Sequence, residues 1–301
     1  MKADLTQITQ NSSLELLAHQ LVEGFITGLH KSPYHGFSVE FAEHRLYNEG
    51  ESIRHIDWKV YARTDRLFTK RYEEETNLRC LIALDVSASM FYPVESKAKI
   101  RFAKYASAAL SYLLNRQRDA VGLCLFSDTV HELTPVKSSP THLDKILRLL
   151  NQLEDRKPVQ SKTQVAQVLH EIAEKIHKRS LVIIFSDMFD SAESTDDLFK
   201  ALQHLKHNKH EVIVFHVMDN QTELLFNFED RPMEFIDLET GDKLKLNPSD
   251  IKQSYRQEAE QFHRALKMRC NQYKIDFIEA DVRSDFDVVL QTYLIKRAKM
   301  R

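Results

Sequence analysis

The chain has 301 residues, of which 43% are hydrophobic and 29% are charged, and its formal net charge is -2 at pH 7. This length allows one large α/β domain with an accessory piece or two ordinary domains, and the composition is that of a globular protein with a buried core. The small net charge argues against general affinity for nucleic acids, because such binding requires the neutralisation of many phosphates.

The three cysteines, Cys80, Cys124 and Cys270, are far apart and lie mostly in apolar stretches. Their odd number and spacing argue against a disulfide framework or a zinc site and are typical of buried thiols in a reducing compartment. No signal peptide opens the chain, and no apolar run approaches the length of a membrane span. We therefore expect a cytoplasmic protein without membrane insertion.

The amino-terminal part begins with a helix and continues into turns and a strand. Residues 14–28 place leucine and phenylalanine on one helical face, which predicts an amphipathic helix ended by Gly28. After a turn-forming SPYHG segment, residues 37–47 alternate well enough to predict a strand.

A densely charged segment follows and surrounds the only tryptophan, Trp58. Runs of charge are usually solvated, but apolar residues interrupt this one. Its Arg54, Asp57 and Arg63 predict a partly buried ion-pair cluster. Such clusters more often fix the register of two structural pieces than take part in catalysis.

The stretch RCLIALDVSASM, residues 79–90, carries the strongest chemical signal. Its apolar run predicts a fully buried strand, and Asp85, Ser87 and Ser89 follow at alternate positions. Oxygen donors at the carboxyl end of a buried strand lie where open α/β sheets bind ligands, and Mg²⁺ prefers oxygen ligands. The alternative interpretation is an ordinary turn between a strand and a helix.

From this point, buried strands alternate with amphipathic helices, which predicts an α/β fold with a mostly parallel sheet covered on both faces. A returning strand at 129–136 and a hairpin inserted near 228–247 interrupt the alternation. The remaining predicted strands are 120–126, 180–185, 211–218 and 274–280. The predicted helices are 95–116, 142–153, 164–177, 196–207, a long one starting at Ser249 or Asp250, and 286–297.

LIALDVSASM resembles the metal-site strand of von Willebrand factor A domains, whose metal-ion-dependent adhesion site combines Asp-x-Ser-x-Ser with a Thr and an Asp from two later loops. The stretch from Ser32 to Thr64 resembles the segment that defines a bacterial family within that fold, domain-of-unknown-function family fifty-eight. Gly50-Glu51 stands where that family usually has Gly-Asp. The family's RxIDWxxxAR element corresponds to Arg54, Ile56, Asp57, Trp58, Ala62 and Arg63.

The resemblance implies a site for Mg²⁺ or Mn²⁺ with ligands from three loops. The implied metal residues are Asp85, Ser87, Ser89, Thr163 and Asp187.

Two of these assignments have open alternatives. The threonine loop of the fold usually has a glycine two places before the Thr, where this chain has Ser161, so Thr141 remains a rival for Thr163. Asp190 remains a rival for Asp187.

The resemblance also implies a von Willebrand A-like domain over residues 77–301, preceded by an accessory segment over residues 1–76. In that fold, one coordination position of the ion stays open for an acidic side chain of a partner, so we expect a non-enzymatic, metal-dependent adaptor. Family members are typically encoded beside MoxR-type AAA+ ATPases. The expected partner is therefore such an ATPase or its client.

Two rival functions remain at this point. The first is a hydrolase of phosphoesters or amides that uses the same ion as a Lewis acid. It would need a base beside Ser87 or Ser89, and no histidine lies in a recognisable motif with them; His55 and His131 are expected to be surface or hydrogen-bonded residues. The second rival is a structural scaffold whose site holds no metal.

Overall fold

A computed structural model describes residues 14–29, 44–46, 58–70, 78–156, 165–188, 195–283, 289–293 and 295. The chain divides into two compact units. The larger unit contains Met1–Ile26 and Leu78–Arg301, and the smaller contains Thr27–Asn77.

The secondary structure of the described residues follows the predicted alternation. The strands are β1 His44–Leu46, β2 Phe68–Lys70, β3 Arg79–Asp85, β4 Ala120–Phe126, β5 Val130–Leu133, β6 Leu181–Ser186, β7 Glu211–Met218, β8 Met233–Ile236, β9 Lys243–Leu246 and β10 Asp276–Asp281. The α-helices are α1 Leu14–Leu29, α2 Trp58–Thr64, α3 Ala98–Arg116, α4 Pro140–Asn151, α5 Val165–Lys175, α6 Thr195–His207 and α7 Pro248–Gln272. Residues 289–293 are also helical.

The larger unit is built on a six-stranded sheet with the order β10-β7-β6-β3-β4-β5. All neighbouring strands are parallel except β5, which runs antiparallel to β4. This arrangement confirms the predicted α/β class and the returning strand after β4. It places β3 in the middle of the sheet, with β6 on one side and β4 on the other.

Helices cover both faces of this sheet, as predicted. Leu81 and Ala83 of β3 belong to a buried apolar cluster with residues of α5, α6 and α7 on one face. Because successive side chains of a strand point to opposite faces, Ile82 and Leu84 face the other side, where they are equally buried. There α3 contacts β3, β4 and β7.

The helix α1 belongs with the sheet unit. Its buried face includes Leu17 and Val22, the His19 ring lies 5.5 Å from that of Tyr112 on α3, and Glu23 forms an ion pair with an arginine at the end of α3. Burial of this apolar stripe against α3 is the physical reason for the assignment. The boundary between the two units falls at residue 27, inside the last turn of this helix, whereas the sequence grouped residues 1–76 as the accessory segment.

The smaller unit contains one antiparallel strand pair, β1 with β2, and the helix α2. The strand predicted at 37–47 is described only at its end, where β1 lies, and α2 was not predicted. Arg63 is exposed on α2, whereas Arg54 and Asp57 lie outside the described residues. The ion-pair cluster therefore stays a prediction.

The predicted insertion near 228–247 is the antiparallel hairpin β8–β9. An aromatic cluster packs it against the neighbouring elements: the Phe226 ring stacks on Phe235 of β8 at 5.6 Å and lies 4.4 Å from Tyr255 of α7. Gly241 has a φ of 79° in the hairpin turn, a conformation that favours glycine.

The cysteines are free and buried, as the sequence predicted. Burial raises the thiol pKa of both Cys124 and Cys270 to about 12, so these side chains are packing groups and not thiolates. Among the described residues, none of the helices combines the length and the apolar character that a membrane crossing requires.

Candidate metal centre

The first loop of the candidate site follows β3 directly. Asp85 is fully buried at the end of the strand, and its Oδ1 accepts a hydrogen bond of 2.9 Å from the backbone N–H of Ser87. A hydrogen bond between an aspartate side chain and the backbone N–H two residues later is common in turns. It folds the loop so that Ser87 Oγ and Ser89 Oγ lie 3.0 Å apart.

The second loop comes from β6, the neighbour of β3. The register pairs Leu84 with Phe185, so the residues that follow them leave the sheet side by side. Ser186 Oγ donates a hydrogen bond of 2.7 Å to Asp85 Oδ2, and it accepts one of 2.9 Å from the backbone N–H of Met188. Both oxygens of Asp85 are thus fixed by hydrogen bonds.

The electrostatics of the site favour a positive charge. Burial first, and then the nearby negative charge of Asp187, raise the pKa of Asp85 to about 7, against the opposing effect of hydrogen bonds from Ser186 and Ser87. A cation beside these carboxylates would stabilise their ionised forms.

A buried lysine supplies one cation. Lys99 lies in the first turn of α3 and is fully buried; its Nζ donates hydrogen bonds of 2.8 Å to Asp187 Oδ2 and 2.6 Å to Glu223 Oε1. Burial alone lowers the pKa of Lys99, but the charges of the two carboxylates outweigh it and raise the pKa above its ordinary value. Burial also raises the pKa of Glu223, against the effect of the ammonium group.

The turn after β7 fixes the position of Glu223. Its Oε2 accepts a hydrogen bond of 2.7 Å from the backbone N–H of Asp219, in front of a short π-helix, Asn220–Leu224. Arg283, which follows β10, binds the Asp219 carboxylate through two hydrogen bonds of 3.0 and 2.9 Å. This two-bond geometry links the ends of β7 and β10.

A neutral histidine binds the backbone of Asp187. His216 of β7 is buried, and burial, with the nearby His263, lowers its pKa to about 4. Its Nε2 lies 2.8 Å from the carbonyl oxygen of Asp187. Because a carbonyl only accepts, the neutral ring carries its proton on Nε2 and donates it to this oxygen.

The structure brings four of the five sequence-predicted residues to the same edge of the sheet, namely Asp85, Ser87, Ser89 and Asp187. Thr163 and its neighbouring loop lie outside the described residues, as does Asp190. Thr141 is not brought to this edge. It follows Lys137, which pairs with Val121 at the amino end of β4, so it lies at the opposite edge.

The sequence analysis assigned no role to Lys99, Glu223, Asp219, Arg283 or Ser186. One signal could have identified Lys99: it precedes Phe102 and Ala106 by three and seven residues and therefore lies on the apolar stripe of its helix. A lysine in that position must be paired if it is buried.

A hydrogen-bonded serine–histidine pair lies close to the site. Ser127 Oγ is 2.7 Å from His131 Nε2 and 2.7 Å from Asp128 Oδ1, in the turn between β4 and β5. Ser127 is fully buried, as are Asp85 and Ser87. His131 is exposed and hydrogen-bonded, which agrees with the prediction for it.

The chemistry of the donor set fits a hard cation. Two hydroxyls and the Asp85 carboxylate converge, and the charge of Asp187 is close enough to affect Asp85. Within the described ranges, no group of three or more His, Cys, Asp or Glu residues could hold a metal. An ion at this edge would therefore depend on hydroxyl oxygens as well as carboxylates, and all-oxygen sites suit Mg²⁺ or Mn²⁺.

Fold and site together define an α/β protein with a candidate cation site at the carboxyl edge of its sheet. The chain belongs to the family described as "Protein of unknown function DUF58", whose family model matches residues 43–267. This match confirms the family resemblance that the sequence motifs predicted.

Relatives and solved structures are similar to this chain at low identity. Uncharacterized protein Mb1516 of Mycobacterium bovis is 24% identical over 207 residues, which span 69% of this chain and 63% of that relative. BatB, a conserved hypothetical protein from Bacteroides thetaiotaomicron, is 14% identical with a TM-score of 0.44, over 74% of this chain and 99% of BatB. Proximal thread matrix protein 1 from the mussel byssus, solved with a zinc-occupied MIDAS motif, is 17% identical with a TM-score of 0.36, over 47% and 38% of the two chains.

Proposed function

We propose that this protein is a non-enzymatic adaptor that binds another protein through a divalent ion at the carboxyl edge of its sheet. The observation that carries the proposal is the convergence of Asp85, Ser87 and Ser89 beside Asp187. Family membership supports it, because the motif of this family resembles a metal-ion-dependent adhesion site.

The side chains have distinct roles in this proposal. Ser87 and Ser89 would hold the ion through neutral hydroxyls, and Asp85 would offset part of its charge. Ser186 and the backbone N–H of Ser87 keep the Asp85 carboxylate oriented. When bound, Mg²⁺ or Mn²⁺ supplies a positive centre that attracts oxygen ligands.

The occupant that this chemistry favours is an acidic side chain of a partner protein. A hard ion held partly by neutral oxygens keeps positive charge, so a carboxylate from another chain is a suitable additional ligand. Following the family resemblance, we propose that the partner is a MoxR-type AAA+ ATPase or a client of that ATPase.

The test is a binding measurement between the purified protein and a MoxR-type ATPase from the same organism. Complex formation should require Mg²⁺ or Mn²⁺, and both EDTA and Asp85→Ala should weaken it by at least about tenfold. Asp144→Ala removes an exposed carboxylate from α4 and serves as the control, with binding expected to stay unchanged. A complex that ignores both the chelator and Asp85→Ala would contradict the proposal.

The pH dependence of ion binding provides a second prediction. Because the pKa of Asp85 is about 7 before the ion binds, a proton must leave below this pH. Affinity for Mg²⁺ should therefore fall by about tenfold per unit as the pH decreases below 7, and it should level off above 7. Calorimetric titrations between pH 5.5 and 8.5, that is, about 1.5 units either side of that pKa, measure this, and an affinity that stays constant below pH 7 would contradict the prediction.

The same pKa shift of Asp85 also makes stability depend on pH, and this dependence has the opposite sign to that of Mg²⁺ affinity. The pKa of Asp85 rises from 3.8 to about 7 on folding, so the native protein binds this proton more tightly than the unfolded chain. In protein kept free of divalent ions, this residue should therefore lower the free energy of unfolding as the pH rises between these two values. Stability that increases across this window because of Asp85 would contradict the assignment.

A hydrolase is the alternative from a different class. It predicts turnover of generic phosphoester or amide substrates that disappears in Asp85→Ala, whereas the adaptor predicts no turnover that depends on Asp85. The same purified protein, assayed with Mg²⁺ and Mn²⁺, distinguishes the two functions.

A further inference from the structure

The feature that the metal-site motif leaves unexplained is the buried lysine beside it. Lys99 is fully buried and contacts two carboxylates, one of which, Asp187, belongs to the predicted metal site. The other, Glu223, comes from the turn after β7, 124 residues further along the chain. The ammonium group therefore lies where the metal site meets a second carboxylate.

A lysine is rarely buried to this degree, because removing an ammonium group from water is costly unless carboxylates compensate. Both of these contacts are short, at 2.8 and 2.6 Å, which is the range of charge-assisted hydrogen bonds. Lys99 thus supplies positive charge to the carboxylates at this edge of the sheet before any ion binds.

We propose that Lys99 is a tethered cation that competes with the divalent ion for Asp187 and so sets the metal affinity of the site. This inference rests on the proposed metal-dependent function and concerns the control of that same site. An ion that binds the Asp187 carboxylate must weaken the bond between that carboxylate and Lys99. Affinity is then lower than the oxygen ligands alone would give.

Glu223 is the second carboxylate that binds the ammonium group of Lys99. Its Oε2 is held by the backbone N–H of Asp219, and Asp219 is in turn held by Arg283. Lys99 can therefore stay bound to Glu223 when the ion takes over Asp187. The positive charge remains beside the site, where it would favour an acidic partner.

The test compares Mg²⁺ affinity in the wild type with that of the double variant Lys99→Gln/Glu223→Gln. This variant removes one positive and one negative charge, so the net charge of the site is unchanged. We expect it to bind Mg²⁺ about tenfold more tightly, because Asp187 no longer has a competing cation. Equal affinity in the two proteins would overturn the role of Lys99 while leaving the metal site intact.

A matched control lies on the same helix. Lys104 is also buried on α3 and pairs with Glu154 at 2.8 Å, so Lys104→Gln/Glu154→Gln makes the same exchange of charges at another pair. Its Mg²⁺ affinity should equal that of the wild type. A gain similar to that of the Lys99 double variant would attribute the effect to buried ion pairs in general and overturn the proposal.

A second variant covers the possibility that the double variant does not fold. In Glu223→Gln, Lys99 loses one carboxylate and should bind Asp187 more firmly, so Mg²⁺ affinity should decrease severalfold. An unchanged or increased affinity would contradict competition. Absence of Mg²⁺ binding in every protein, including the wild type, would overturn the metal site itself and with it this role of Lys99.

Discussion

Magnesium should stabilise the wild-type protein strongly and should stabilise Asp85→Ala very little. A ligand that binds only the native state at about a hundred times its dissociation constant adds about 2.7 kcal/mol to the free energy of unfolding. Asp85 is the carboxylate that lies with the two hydroxyls, so its removal should abolish this gain. Thermal melts with Mg²⁺ and with EDTA measure the difference.

Two further variants make this result specific. Asp85→Asn keeps an oxygen that can accept the N–H of Ser87 but lacks the charge, and it should behave like Asp85→Ala. Asp144→Ala should retain the full response, because Asp144 is an exposed residue of α4 paired with Arg148. Equal shifts in the wild type and in both Asp85 variants would remove this residue from the site.

Replacement of Lys99 should cause the largest loss of stability among the variants considered. Lys99→Met removes the ammonium group that contacts Asp187 and Glu223. Both carboxylates then stay buried without this positive charge beside them. Breaking a buried pair in this way costs about 3–5 kcal/mol. Urea unfolding at pH 8 in the presence of EDTA measures the loss, and Mg²⁺ should recover part of it.

Lys104→Met provides the comparison for this effect. Its partner Glu154 keeps 30% of its side chain exposed, so water can solvate the carboxylate after the lysine is lost. The expected loss is therefore clearly smaller than for Lys99→Met. A loss below about 1 kcal/mol in Lys99→Met would show that the buried ion pairs contribute little to stability.

Sequence reasoning recovered the sheet well because its strands are apolar runs between turns. The predicted bounds of β4 and β7, 120–126 and 211–218, coincide with the observed ones. Helix ends were less accurate: α3 begins at Ala98 instead of residue 95, because the preceding residues form a turn in which Lys97 has a φ of 49°. The helix α2 was missed because dense charge obscured its periodicity.

The site could be predicted only where its geometry is local. Asp85, Ser87 and Ser89 are neighbours in sequence, and a single turn arranges them. The bond between Ser186 and Asp85 spans 101 residues, and that between Lys99 and Glu223 spans 124. No local pattern encodes such pairings, since they depend on the order of strands in the sheet.

The order of the strands also has a consequence for synthesis on the ribosome. The central strand β3 is made first among the six, and β4 and β5 can pair with one of its sides soon afterwards. Its other side must wait for β6, which emerges after α3, α4 and α5. Until then the nascent chain carries an apolar strand with an unpaired edge, the kind of surface on which chains aggregate and on which chaperones act.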